Sequence, residues 1–189
     1  MAQEYSNVEE SGLQMFERFE YTKSLSEQEK IEIIREAVQL GEKRAGELRD
    51  EFRSAVPSQI LNKVGILIIE KNDKDNTRPN FVKFAEFHVK QKKVVLNSHV
   101  LRAVSPQMER DLVKEIILCH EMYHYFEMFR WGRTGDSFKR KVKLFQVISV
   151  TRRILPAEEI AANAFTKAYL NLEFEPQELE RIYFKNAEK

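Results

Sequence analysis

Five residues, His120-Glu121-Met122-Tyr123-His124, constrain this chain more than any other feature. Histidines four positions apart point the same way on a helix, where four residues turn about 400° and rise about 6 Å. The preceding residues supply that helix, because Leu112, Val113, Ile116, Ile117 and Cys119 recur at helical spacing. A helix anchored on its apolar side holds two imidazoles rigidly enough to share one ion. Chance competes weakly: with only four histidines in the chain, such a pentapeptide arises on the order of once in a hundred comparable sequences.

Zinc takes imidazole nitrogen at about 2.0–2.1 Å, and catalytic sites leave one tetrahedral position open to water. Glu121, the next residue round from His120, reaches that position and reads as the general base. Two histidines need a third ligand. No histidine follows His124, while His88 and His99 lie upstream, so a carboxylate is the natural choice. The best placed is Glu159, on a helix that Pro156 begins. Asn163, one turn further on, is positioned to support a ligand imidazole by a hydrogen bond. Glu158 suits a surface role favoured by the helix dipole. Ala161, Ala162 and Ala164 are small enough for a close helix approach. Stabilisers for a developing oxyanion are Tyr123, Tyr125, Tyr169 and His99, although Tyr123 points off the ligand face and reads more readily as core. Cys119 reads as a small buried hydrophobe.

Around this centre the chain reads as one domain, residues 1–189, of α+β class. Residues 1–22 form a flexible, partly ordered arm with Phe16, Phe19 and Tyr21. Ser26 with Glu29 is a capping box opening a helical stretch, within residues 23–56, that Pro57 ends. A core over 64–170 begins with a strand at Val64–Ile69, a loop at Asn72–Asn80, and strands at Phe81–Val89 and Lys93–Leu96 around a turn at Gln91-Lys92. Asp73, Asp75 and Asn76 lack the spacing of a calcium loop. Ser105-Pro106 predicts the start of the motif helix. A further helix is expected over Ser137–Arg153, with Phe138, Val142, Phe145 and Ile148 inward, followed by helices from Pro156 and Pro176. The expected sheet is small, mixed or antiparallel, with three or four strands on the motif helix.

Charge and cysteine usage narrow the function. The chain has 31 basic and 30 acidic residues, a net charge of +1, so its balance gives no reason to expect nucleic acid or an acidic membrane as main partner. Lys139-Arg140-Lys141 and Arg152-Arg153 read as solvated helix faces. No apolar run approaches the roughly 18 residues that span a bilayer, the first twenty residues lack a signal pattern, and one cysteine allows no internal disulfide. A cytoplasmic location is the expectation.

The motif followed by a helix bearing Glu-x-x-Ala-Asn (Glu159 to Asn163) resembles the gluzincin metallopeptidases, both the HtpX-type membrane proteases and, more closely, the soluble ImmA/IrrE-type peptidases. The likeness covers about residues 64–170. It implies zinc on His120, His124 and Glu159, with Glu121 as base. It also implies a short strand (Val94 to Ser98) and a small helix before the motif helix, and a strand edge along which an extended protein or peptide substrate lies by β-augmentation. The function so expected is zinc-dependent peptide hydrolysis. The alternative is a latent or non-catalytic zinc-binding regulatory protein with the same fold.

Overall fold

A computed structural model describes residues 6–53, 55–73, 77–78, 81–144 and 148–187. The expected arm is ordered where it is described. Ser6 and Glu9 form a reciprocal capping box that starts α1 (Asn7–Glu17), and Met15 and Phe16 are buried. A 3-10 turn at Glu20–Ser24 follows. The Ser26–Glu29 box starts α2 (Glu27–Phe52) as expected, and Arg53 at φ 50° closes it. Pro57 then begins a helix of its own, α3 (Pro57–Lys63).

The first strand enters later than its apolar run suggests. Val64 caps α3 and Gly65 turns the chain at φ 82°, so β1 is Leu67–Lys71. Within the expected loop, β2 (Thr77–Arg78) pairs antiparallel with β3 (Phe81–Val82); Asp75 and Asn76 lie outside the described residues. Next come β4 (Ala85–His88) and β5 (Lys93–Asn97), joined by a tight turn with Lys92 at φ 47°. The sheet order is β1-β5-β4, with β1 parallel and β4 antiparallel to β5. It is the small mixed sheet expected. Its centre is β5, whose Val94 and Leu96 are wholly buried, and its cleft-side edge is β4.

Asn97 caps α4 (Ser98–Val104), the small helix before the motif helix, by accepting from His99 N. Ser105-Pro106 does not begin the motif helix. The Ser105 hydroxyl instead donates to Leu101 O, 2.6 Å away, ending α4, and Pro106 cannot continue it. The motif helix, α5, runs from Arg110 to Phe126, and a π-helical turn, Glu127–Trp131, extends it before the short α6 (Thr134–Ser137).

The helix expected over Ser137–Arg153 is a β-hairpin, β6 (Lys139–Leu144) antiparallel to β7 (Ile148–Arg153). Phe138 and Val142 are buried as expected, but Ile148 is 59% exposed, and Phe145 lies outside the described residues. Lys139, Lys141 and Lys143 alternate along β6, and Val142, Ile148, Val150 and Thr151 are β-branched; period two and β-propensity override the helical spacing. Then α7 (Leu155–Leu170) and α8 (Glu178–Ala187) complete the chain.

The closest helix packing joins α2 to α7. A Cβ on Gly41 would lie 2.3 Å from Ala161 O and 2.8 Å from Phe165 N, so only glycine permits this approach. Gly46, by contrast, faces open space. Between these helices and the sheet, α5 is enclosed: Leu118, Met122 and Tyr123 are fully buried. No helix of the described residues is long and apolar enough to cross a membrane.

Candidate metal centre

Because α5 is locked on its apolar side, His120 and His124 emerge together on the other. Their Nε2 atoms lie 3.1 Å apart. Glu159, delivered by the first turns of α7, places Oε2 3.4 Å from His120 Nε2 and Oε1 3.7 Å from His124 Nε2. Ligands about 2.0–2.1 Å from a tetrahedral ion are about 3.3 Å from one another, and these three separations bracket that value. Among the described residues these three form the one group of histidine, cysteine or carboxylate donors close enough to hold a metal ion.

Each imidazole is oriented from behind. His120 Nδ1 is 3.1 Å from Asn163 Oδ1, the support expected of Asn163. His124 Nδ1 is 3.2 Å from Glu127 Oε2. Nδ1–H donation to these oxygens leaves both Nε2 lone pairs facing the shared centre. The other Glu127 oxygen accepts the Thr134 amide at 2.7 Å. Thr134 Oγ1 in turn meets the Tyr123 hydroxyl and, at 3.1 Å, Arg44 Nη1. Arg44 lies 4.7 Å over the Trp131 ring. The π-helical turn thus carries its first residue, Glu127, to the back of the site and its last, Trp131, onto Arg44.

The charges follow from this packing. For Glu159, burial disfavours ionisation, but the His120 hydrogen bond and the His120, His124 and Arg18 charges hold its pKa down to about 2. For His124, burial disfavours the cation, yet the Glu127 hydrogen bond and the fields of Glu159, Glu121 and Glu127 raise its pKa to about 9. Glu121 is raised, first by burial and then by Glu159 and Glu86, against the pull of His124 and His120. A carboxyl shifted this way is a stronger base than a surface glutamate.

A cleft of about 410 Å³ opens on the centre, with Glu121 in its wall beside His120, His124 and Glu159. Its other walls are Val82 to Ala85, leading into β4, and the facing ends of α1 and α8. Phe84 O accepts from Asn97 N, so by antiparallel alternation Ala85 and Phe87 turn their main-chain groups away from β5, to the outer edge. Among the described residues no strand pairs with that edge.

Of the expected oxyanion stabilisers none lines the cleft. Tyr123 is core: its hydroxyl binds Arg44 and Thr134, and burial pushes its pKa up to about 12. Tyr169 donates to Ala55 O, 2.7 Å away. His99 packs its ring on Tyr183, and Tyr125 packs between Phe87 and Phe129. The cationic donors in the cleft are Arg18 and Lys83, with Arg18 ion-paired to Glu180 at 2.7 Å. Nothing in the acidic N-terminal segment marks Arg18 beforehand. Glu127, not anticipated from the sequence, did carry a signal there, since it stands three residues after His124 and shares its helix face. Cys119 is buried, as expected, with its thiol pKa pushed well up by burial. In comparisons with known proteins, no family model matches the chain, and no curated protein or solved structure proves similar to it.

Proposed function

We propose that this chain is a zinc-dependent peptidase that hydrolyses a protein or peptide substrate. One observation carries the reading: two imidazoles and a carboxylate converge at tetrahedral spacing, each imidazole oriented by its own acceptor, with a second, basic carboxylate beside them in an open cleft. In this reading His120, His124 and Glu159 hold zinc. The donor set of two nitrogens and one carboxylate suits it. Bound there, the metal supplies Lewis acidity, which lowers the pKa of a coordinated water toward ~7.

The remaining chemistry falls to the chain. Glu121 takes the proton of the attacking water and passes it to the leaving amine; its burial keeps it a base rather than a bystander. Asn163 and Glu127 keep the imidazoles aimed. Extended substrate backbone lies against the outer edge of β4, where Ala85 and Phe87 offer unpaired main-chain groups. Arg18, in the cleft wall, is the cation this reading assigns to the oxyanion in place of the tyrosines. A chain with a single, buried cysteine suits a reducing compartment such as the cytoplasm.

A second reading, a latent or regulatory zinc protein, draws on the Arg18–Glu180 pair, which ties α1 to α8 at the cleft. One experiment separates the two. Purified protein is assayed for zinc and for cleavage of unstructured protein substrates, beside Glu121→Gln. The peptidase reading expects one zinc per chain in both, and hydrolysis lost by at least a hundredfold in the variant. Zinc without hydrolysis in either favours the latent form. No stoichiometric zinc sinks both.

A further inference from the structure

The hairpin that replaces the expected helix also redistributes charge. Between Phe138 and Arg153 stand six of the chain's 31 basic residues and none of its 30 acidic ones. A helix would have scattered them round its circumference. The ribbon instead sorts them by face, because residues paired across an antiparallel ladder share a side. Lys139 faces Arg153, Lys141 faces Thr151, and Lys143 stands opposite Ser149 at the next same-side position. Lys139, Lys141, Ser149, Thr151 and Arg153 are all exposed. The opposite side is inward only at its middle, where Val142 is buried and Val150 partly so; it also carries the paired Arg140 and Arg152 and, further along, the exposed Ile148.

Among the described residues, the acidic groups that answer this charge sit toward the base of the ribbon. Asp136 pairs with Lys139 at 3.0 Å and Arg153 at 2.8 Å. Glu29, on α2, feels the Arg140 charge. Arg152 lies 6.0 Å from the Tyr21 ring. Lys141, in the middle of β6, has no ion pair among the described residues.

We propose that the exposed face of the β6–β7 ribbon binds the phosphate backbone of a nucleic acid. Alternate strand residues are about 6.8 Å apart, close to the rise of two nucleotides along one strand at about 3.4 Å each. A row of lysines at that repeat, flanked by two hydroxyls able to donate to phosphate oxygen, matches a polyanion of regular spacing. Binding of this kind positions the protein without reading sequence. It is independent of the metal centre and of the peptidase reading. The net charge of +1 conceals it, because the excess of acid elsewhere cancels the ribbon.

The test is fluorescence anisotropy of the full chain with three labelled probes of mixed sequence: a DNA duplex of about 30 base pairs, a DNA single strand and an RNA single strand. With about four phosphates neutralised, duplex affinity should fall roughly a hundredfold between about 50 and 200 mM salt. Lys141→Gln should reduce the log–log salt slope by about 1. The control, Lys43→Gln on the exposed side of α2, removes the same charge and should leave the slope unchanged. Equal loss in both variants, or no binding of any probe at about 50 mM salt, overturns the proposal. So does binding of phosphatidylserine vesicles without binding of nucleic acid. Preference among the three probes identifies which polymer the ribbon takes.

Discussion

Removing Glu127 should weaken the metal centre without touching a ligand. The residue is 5% exposed, and its two oxygens serve two donors, His124 Nδ1 and the Thr134 amide. Glu127→Ala leaves both donors without partners in a buried setting, which costs about 1–3 kcal/mol each in stability. It also frees the His124 ring to rotate. Loss of such a supporting partner lowers metal affinity about 10–100-fold, or about 1.4–2.7 kcal/mol. Glu127→Gln has one carbonyl oxygen for two donors, so one donor must face an amide NH2, and a loss of about tenfold is expected. A compensating effect has to be kept out of the measurement: without Glu127 the His124 proton is held less tightly, which favours metal. Competition against a chromophoric zinc chelator should therefore be run above about pH 9, where that proton is already gone. Circular dichroism confirms that each variant is folded. Zinc dissociation constants within about twofold of the parent for both folded variants would refute the reasoning.

Two further outcomes follow from the same geometry. Near neutral pH the metal-free His124 carries a proton, its pKa being raised to about 9, and zinc must displace it. Apparent zinc affinity should therefore rise about tenfold per pH unit from about pH 7 to 8 and level off above about 9; Glu159, held down at about 2, adds no slope, and a flat profile would contradict this. The two glycines of α2 should respond oppositely to alanine. Gly41→Ala drives a methyl into the backbone of α7 and should cost about 2 kcal/mol, whereas Gly46→Ala meets open space and should gain about 0.5–1 kcal/mol. Denaturant midpoints at constant m-value distinguish these signs.

What the sequence revealed depended on whether a signal was local. The convergence of His120, His124 and Glu159 was legible because helix geometry turns a spacing of four into a shared direction, and because Pro156 announced the helix carrying Glu159. The cap at Ser26 rested on an equally short-range rule and is present, and Asn163, one turn beyond Glu159, lies 3.1 Å from His120 Nδ1. The hairpin was not legible: Phe138, Val142 and Ile148 satisfy a helical period, and only the alternation on β6 argues for a period of two. Ser105-Pro106 misled for a related reason, since a hydroxyl before proline can end one helix as well as begin another. Arg18 and Glu180 meet across 162 positions, and no local pattern announces a contact of that range. Nothing local to α2 marks Gly41 as the point where the backbone of α7 comes closest.

The outer edge of β4 has a cost as well as a use. Main-chain groups that await an extended guest discriminate poorly among guests, and the most abundant extended strand near any molecule of this protein belongs to another copy of it. Such edges are commonly guarded by charge. Here Glu86, flanked by Lys83 and His88 at 3.6 Å each, sits on the strand between Ala85 and Phe87. A second β4 laid antiparallel would bring one Glu86 close to the other, and the repulsion would push the pair apart. An edge open to a foreign chain, as the proposed peptidase requires, would thereby be kept from closing on itself.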